Sequence, residues 1–259
     1  MNIVVCVKRV PMTQEVDLEI DPGKKDVKKD MLAHAINEWD NYAIEEAIQL
    51  QEKYGGRVTA LTVGHEEDEE VLRRCLAMGA DRAVRIDPGE RALDSYVISR
   101  VLAHVIKGLE YDLVLTGVQA DDLNNGAVGG MVAEHLGVPH GAVVIGVEPG
   151  EREIEIKVEL EGGVNEVARL PLPALLSIQT GINEPRYVSI MGIRKAAKKE
   201  LNAMALEDLG LSGDDLAPGT LVEEMYQPPE TEGAEMIAGD AARVAEEILR
   251  IIKGKGVSV

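Results

Sequence analysis

The sequence predicts an α/β fold, a doubly wound and mostly parallel sheet with an antiparallel extension at one edge and a C-terminal arm. Two observations carry this expectation. Before residue 140, four short apolar or β-branched runs alternate with segments whose apolar residues recur at helical spacing, the pattern of parallel strands joined by helical crossovers. After residue 140 the period changes to two, in segments separated by Gly- and Pro-containing turns, as in antiparallel hairpins.

The first and central strand is Asn2 to Val7, apolar and β-branched. Lys8 to Asn37 is charged and contains the alternation Val16-Asp17-Leu18-Glu19-Ile20, a short exposed excursion; a loop of that length is more often functional than idle. Ala43, Ile44, Ala47 and Ile48 predict a helix behind Asp40 and Asn41, either of which can cap it. Arg57 to Val63 is the second strand. The helix Glu66 to Met78 crowds its acids into the start, where the helix dipole favours them, and stops at Gly79. Ala83 to Ile86 is the third strand, and Val97, Ile98, Val101, Leu102, Val105 and Ile106 mark the third helix.

Leu113 to Leu115 is the fourth strand. Val143 to Val147, Glu153 to Glu159 and Asn165 to Arg169 form the antiparallel extension, and Ala174 to Ile178 is a further buried strand. No strand is expected after Gly181, and Leu201 to Leu211 reads as a weak helix. The main α/β domain is expected over 1–213, and the arm, Pro- and acid-rich before an amphipathic helix at Ala241 to Ile252, over 214–259. That helix has no evident place in the sheet, so its apolar face is expected to pack on a second subunit.

Composition narrows the function. With 259 residues, 45% of them hydrophobic, the chain can build a sizeable core. A formal net charge of −19 repels nucleic-acid phosphates and anionic membranes. No apolar run reaches the ~20 residues that span a bilayer, and the N-terminus has no signal-peptide pattern, so a cytoplasmic location is expected. Cys6 and Cys75 lie on apolar faces and are expected as buried thiols. The five histidines, His34, His65, His104, His135 and His140, show no metal-ligand spacing. No nucleophile elbow or zinc-protease motif is present. The residues therefore suggest a carrier or scaffold with no catalytic constellation.

The stretch Asp112 to Leu136 bears the candidate site. It runs from strand through a Gly- and Asx-rich turn into a helix, and in open parallel sheets ligands bind beyond the carboxyl ends of strands. The first amides of such a helix point outward unpaired and suit a phosphate. Gly126, Gly129 and Gly130 would let a ligand approach the backbone. The alternative is an ordinary turn whose glycines only help the helix pack on the sheet, since neither common phosphate-loop motif is present. Asp121 and Asp122 could hold a cation beside phosphates or simply form a solvated turn.

VCVKRVP at the N-terminus, NEWDNYAIEEA from Asn37, CLAMGADRA from Cys75, LTGVQADD from Leu115 and INEPRYVSIMGIRKAAKKE from Ile182 resemble the β subunit of electron transfer flavoproteins. The resemblance covers nearly the whole chain. It implies a Rossmann-like subunit that pairs with an α subunit carrying the electron-transferring FAD. The β subunit itself holds AMP in the housekeeping branch and a second FAD in the electron-bifurcating branch. Implied partners are acyl-CoA-type or other dehydrogenases, with the flavoprotein passing electrons between them and a quinone reductase or ferredoxin and NAD partners.

The resemblance also implies residue roles. Cys6, Asn37 to Asp40 and Val63 would line the adenine pocket, with Lys8, Gly117 and Asp122 beside it. Asn125, Gly126, Ala127, Val128 and Gly129 would hold the phosphates. Many family members have D-x-T-x-Q-V-G or C-N-Q-T-G where this chain has Asn124 to Gly129, so a hydroxyl and a Gln amide are missing and backbone amides must do more. Pro11, Thr13, Asp40 and Gly192 resemble the bifurcating branch. Asn183, Glu184, Arg186, Tyr187 and Ile190 fall in a recognition loop, 181–199, where Ile190 would dock into a dehydrogenase and Gly192 would permit a sharp turn. Two other classes share the alternating strand-helix pattern: a stand-alone adenine-nucleotide sensor of the universal-stress type, which would need neither the arm nor the NEPRY segment, and an ATP-using hydrolase or ligase, whose S-G-G-x-D loop is absent.

Overall fold

The structure is a computed structural model that describes every residue except Glu15, Ala92, Ser212, residues 230–232 and 257–259, and the side chain of Ile190. The described chain forms two compact units, Met1–Glu223 and Glu224–Val259.

In the first unit the elements are β1 (Asn2–Cys6), β2 (Arg9–Pro11), β3 (His34–Ile36), α1 (Glu38–Tyr54), β4 (Arg57–Val63), α2 (Glu69–Met78), β5 (Arg82–Asp87), α3 (Ser95–Lys107), β6 (Leu113–Gly117), α4 (Val128–Leu136), β7 (His140–Pro149), β8 (Glu153–Leu160), β9 (Val164–Pro171), β10 (Ala174–Ile178), α5 (Ile190–Ala196) and β11 (Leu201–Ala205). The large sheet has the order β11-β5-β4-β1-β6-β10-β7-β8-β9. It is parallel from β11 to β7, and β8 and β9 add the expected antiparallel extension.

The central strands are buried on both faces and mostly apolar, with Thr59, Thr62, Thr116 and Ser177 as buried hydroxyls among them. Ile3, Val5, Leu113 and Leu115 pack with Ile44 and Ile48 of α1 and Leu72 and Leu76 of α2. Val4 and Val114 face the other way, onto Val97, Val101 and Ile106 of α3 and Val132 of α4. From β1 the chain adds β4 and β5 on one side and then returns to place β6 on the other. The order therefore reverses between β1 and β6, the point where such sheets open a crevice at the carboxyl ends.

Several expectations are corrected. The first helix starts at Glu38, so Asp40 and Asn41 lie inside it; Asn37 is its N-cap residue but caps nothing with its side chain. The helix expected from Glu66 begins as a 3-10 turn, Glu66–Asp68. Val16 to Glu19 are exposed, as the excursion was expected to be, and Ile20 makes an isolated bridge to Val27. What the sequence did not show is that the excursion is closed at its base by β2 and β3, a small antiparallel pair.

The largest miss is Leu201 to Leu211. Its first five residues are β11, which pairs in parallel with the open edge of β5 from Leu201↔Ala83 to Ala205↔Asp87. Ala, Met and Leu favour helix locally, but the unpaired ladder of β5 and the burial of Leu206 beyond it outweigh that preference. Leu206–Leu209 then make a 3-10 turn. Leu216 is buried, and Arg100 of α3 pairs with Asp215, so the chain beyond β11 remains fastened to the sheet domain.

In the second unit α6 (Ala241–Gly254) is capped by Asp240, which accepts a hydrogen bond from the Arg243 amide at 2.9 Å. None of its residues is buried.

Helices α2 and α5 cap one another. The Lys199 ammonium donates to the carbonyls of Leu76 (3.1 Å) and Ala80 (2.6 Å) at the end of α2, while Arg73 of α2 donates to the Lys199 carbonyl (3.1 Å) just beyond α5. Cations at helix C-termini complement the dipole and the unpaired carbonyls. Lys199→Met should therefore lower unfolding free energy by about 1 kcal/mol, read as a lower urea midpoint at unchanged slope.

Candidate functional site

A cleft open to solvent lies beyond the carboxyl ends of β1, β4 and β6, the place where open parallel sheets bind small molecules. Cys6, Lys8, Asn37, Asp40, Val63, Gly117, Asn125, Gly126, Ala127, Val128 and Gly129 all line it. Asp122 does not, but it receives the Lys8 ammonium, which reaches both carboxylate oxygens at 2.6 Å.

The ladder between β1 and β6 runs from Ile3↔Leu113 to Val5↔Leu115. Beyond it the two strands are joined by a side chain. Asp40, in the first turn of α1, accepts the Lys8 amide at 2.8 Å with one oxygen and the Gly117 amide at 3.0 Å with the other. A Cβ on Gly117 would sit 2.5 Å from both Asp40 Oδ1 and Trp39 Cβ, so glycine is required where α1 meets β6. Burial pushes the Asp40 carboxyl up to about 7, against the pull of Lys8, Asn37 and Gly117. Burial, followed by the charge of Asp40, pushes the Cys6 thiol up to about 12, so Cys6 lines the wall as a neutral group.

Asn37 fixes the loop after β6. Its Nδ2 donates to the Gln119 carbonyl at 2.7 Å, and its Oδ1 accepts the Asp121 amide at 3.0 Å. Asn124 (φ 51°) and Gly126 (φ 58°) take left-handed conformations that turn the loop into α4. The amides of Val128, Gly129 and Gly130 have no intrahelical acceptor, and Asn125 is steadied by its 3.2 Å bond to Ser95 Oγ.

Not every glycine serves the ligand side. A Cβ on Gly129 would lie 2.5 Å from Ser177 Oγ and 2.7 Å from Thr116 Oγ1, on the sheet side of α4. At that position the glycine permits helix-on-sheet packing, while its amide remains at the cavity. Ser95, Thr116, Gln119 and Leu123 also line the cavity but were not singled out in the sequence. Ser95 was accessible: Asp94 before an apolar-periodic run is an N-cap signal, and its carboxylate accepts the Val97 amide at 2.9 Å. The Thr116 hydroxyl depends on which face of β6 meets α4, which spacing alone does not give.

These features accompany a clear kinship. Residues 27–209 match the family model described as the electron transfer flavoprotein domain. The chain is 40% identical to electron transfer flavoprotein subunit beta of Methylophilus methylotrophus, over 97% of this chain and 98% of that one. The chain belongs to the electron transfer flavoprotein β-subunit family. The Bacillus subtilis (strain 168) subunit beta is also 40% identical, over 98% of both chains. Subunit CarD of the caffeyl-CoA reductase-Etf complex from Acetobacterium woodii is 34% identical, over 99% of this chain and all of that one.

The segment expected as the family's recognition loop divides by direction. Asn183 donates to the Tyr42 carbonyl (3.1 Å) and to Glu46 (3.0 Å), both on α1. The Arg186 guanidinium grips buried Glu45 at 2.9 Å and Glu52 at 2.7 Å. Those two side chains face inward and hold the loop. Glu184 and Tyr187 are exposed, as are Met191 and Ile193. Ile190 opens α5, but its side chain lies outside the described residues. Gly192 makes no sharp turn: it sits inside α5, and its amide donates to Ser189, the N-cap, at 3.1 Å. Among the described residues no group of three or more His, Cys, Asp or Glu side chains is placed to hold a metal ion.

The raised pKa of Asp40 fixes a sign for pH dependence. Because the folded value lies above the unfolded one, its contribution is complete below about pH 3.8, declines between about 3.8 and 7, and is lost above 7. The stability of wild type relative to Asp40→Asn, measured by urea denaturation, should therefore fall by up to about 1.4 kcal/mol per pH unit across that window. A flat difference would show that Asp40 does not titrate there.

Proposed function

We propose that the cavity binds an adenine nucleotide, AMP or the ADP portion of a second FAD, and that the chain works as the β subunit of a heterodimeric electron carrier. The observation that carries the reading is a cavity at the β1/β6 reversal, faced by the free first-turn amides of α4. The residues present suit the group. Asn125 and the amides of Gly126, Ala127, Val128 and Gly129 would hold phosphate, and Cys6, Val63, Leu61 and Leu102 offer an apolar wall for a planar base. Lys8 is already neutralised by Asp122, so the helix amides supply the principal attraction for phosphate.

The α-subunit FAD would supply the redox chemistry; this chain's part is to bind, orient and dock. Dehydrogenases would meet the loop 181–199 at Tyr187, Met191 and Ile190, and α6 would lay its apolar side on the α subunit. A cytosolic setting agrees with buried, unpaired Cys6 and Cys75.

The central test is to purify the chain with its α subunit, denature the complex and measure flavin and AMP in the supernatant. One FAD with one AMP, or two FAD, per heterodimer supports the reading. One FAD and no second nucleotide refutes it.

Two variants test the surfaces. Deleting residues 224–259, outside the sheet unit, should leave a folded chain that no longer co-purifies with the α subunit; undiminished co-purification would remove α6 from the interface. Ile190→Ala should raise the apparent KM for a cognate dehydrogenase about thirtyfold, the effect of losing a hot spot worth ~2 kcal/mol. Its melting temperature and nucleotide content should stay unchanged. A lower melting temperature with unchanged kinetics would identify Ile190 as a core residue instead.

A further inference from the structure

Beneath the first turn of α4, three side chains form a hydrogen-bonded row across the sheet. His140, at the start of β7, places Nε2 2.8 Å from Ser177 Oγ on β10, and Ser177 Oγ lies 3.1 Å from Thr116 Oγ1 on β6. Ser177 and Thr116 are buried, and Thr116 lines the cavity. Helix α4 roofs the row: Gly129 has no room for a Cβ above the two hydroxyls, and Gly130 stands at ordinary contact distance from the His140 ring, 3.6 Å to a Cβ placed there.

A hydroxyl has one hydrogen to give, so the direction of such a row is set at its end. When His140 Nε2 accepts, Ser177 gives its hydrogen to the ring and Thr116 gives its own to Ser177. The cavity then meets only Thr116 lone pairs. When Nε2 carries a hydrogen, Ser177 accepts from the ring and donates to Thr116, and the Thr116 hydrogen is released toward the cavity.

We propose that His140 is a positioning residue for the cavity's ligand, setting through Ser177 whether Thr116 presents a donor or an acceptor to a phosphate group on the first turn of α4. The proposal rests on the nucleotide reading above. Unprotonated phosphate oxygens only accept, so the dianionic ligand selects the row with hydrogen on Nε2, and a protonated ring enforces that row. AMP binding therefore tightens as pH falls through the titration of His140, whose pKa burial holds below the ordinary histidine value. Among the described residues Ser177 of β10 and Gly130 of α4, both uncharged, face the ring, and β7 continues as Gly141, Ala142 and Val143; one turn beyond Gly130, α4 carries Glu134.

The experiment uses the purified complex, stripped of nucleotide and titrated calorimetrically with AMP between about pH 5.5 and 8, for wild type, His140→Phe, Ser177→Ala and Thr116→Val. Titration of the AMP phosphate itself is common to all four and cancels in the comparison. Relative to the variants, wild type should gain roughly fivefold in affinity toward acid pH, a modest coupling, while the three variants share one flatter profile. Nitrogen-15 chemical shifts of the His140 ring in wild type supply a readout independent of any variant's folding: AMP should move the ring to the form with hydrogen on Nε2. AMP binding with the wild-type pH profile retained in the variants, or an unmoved ring tautomer, overturns the row alone. Where AMP does not bind, the same titrations are run with FAD, and failure of the stripped wild type to bind either one overturns the nucleotide reading and the row with it.

Discussion

Reversal of strand order between β1 and β6 is the constraint on which the rest of the molecule depends. Two neighbouring parallel strands that part company leave backbone amides without partners, and a buried amide left unpaired costs on the order of 1–3 kcal/mol. Here one carboxylate, Asp40, takes an amide from each side. Several features follow from that placement. Helix α1 must begin directly over the crevice, Gly117 must lack a side chain, and Asn37, just ahead of the helix, is left facing the loop that becomes the cavity's lip. The same burial that makes Asp40 effective keeps its proton near neutrality, so the fastening of the site is itself sensitive to pH.

Helix α1 serves two places at once. Its first turn carries Trp39 and Asp40, and its middle and last turns carry the Glu45, Glu46 and Glu52 side chains that hold Asn183 and Arg186. Trp39 adds a link of its own, donating to Gln179 at 2.8 Å at the root of the same segment. Glu45 is buried but answered by a guanidinium, and removing one partner of such a pair leaves an uncompensated charge, the costly case for buried ions. Position in both places is thus inherited from one 17-residue helix.

Strands β1, β4, β5, β6 and β10 and the antiparallel extension were legible because apolar period survives in a single sequence. Most of the cavity wall was legible through family motifs. The misses have physical reasons. Leu201 to Ala205 is a strand because an edge of β5 awaits it, information that resides in a segment more than a hundred residues earlier. The start of α1 was misread because Asn37 and Asp40, both residue types that favour caps, are occupied by tertiary bonds instead. The sequence left Gly129 open between clearance for a ligand and packing of the helix on the sheet, and its missing Cβ clears Ser177 and Thr116. Arg186 and Asn183 stood in a motif associated with docking, yet the structure turns them inward, which sequence spacing in a loop does not encode.

That inward turn has an evolutionary consequence. The attachments of the 181–199 segment, through Asn183, Arg186 and Lys199, lie on one side, and Tyr187, Met191 and Ile193 lie on the other, spending little of their surface on the fold. Exposed substitutions away from such attachments usually change stability by less than about 0.5 kcal/mol. The outer residues are therefore free to drift while the inner ones stay fixed, so lineages sharing this scaffold can rewrite the face this segment shows to solvent with no need to rebuild the body that presents it.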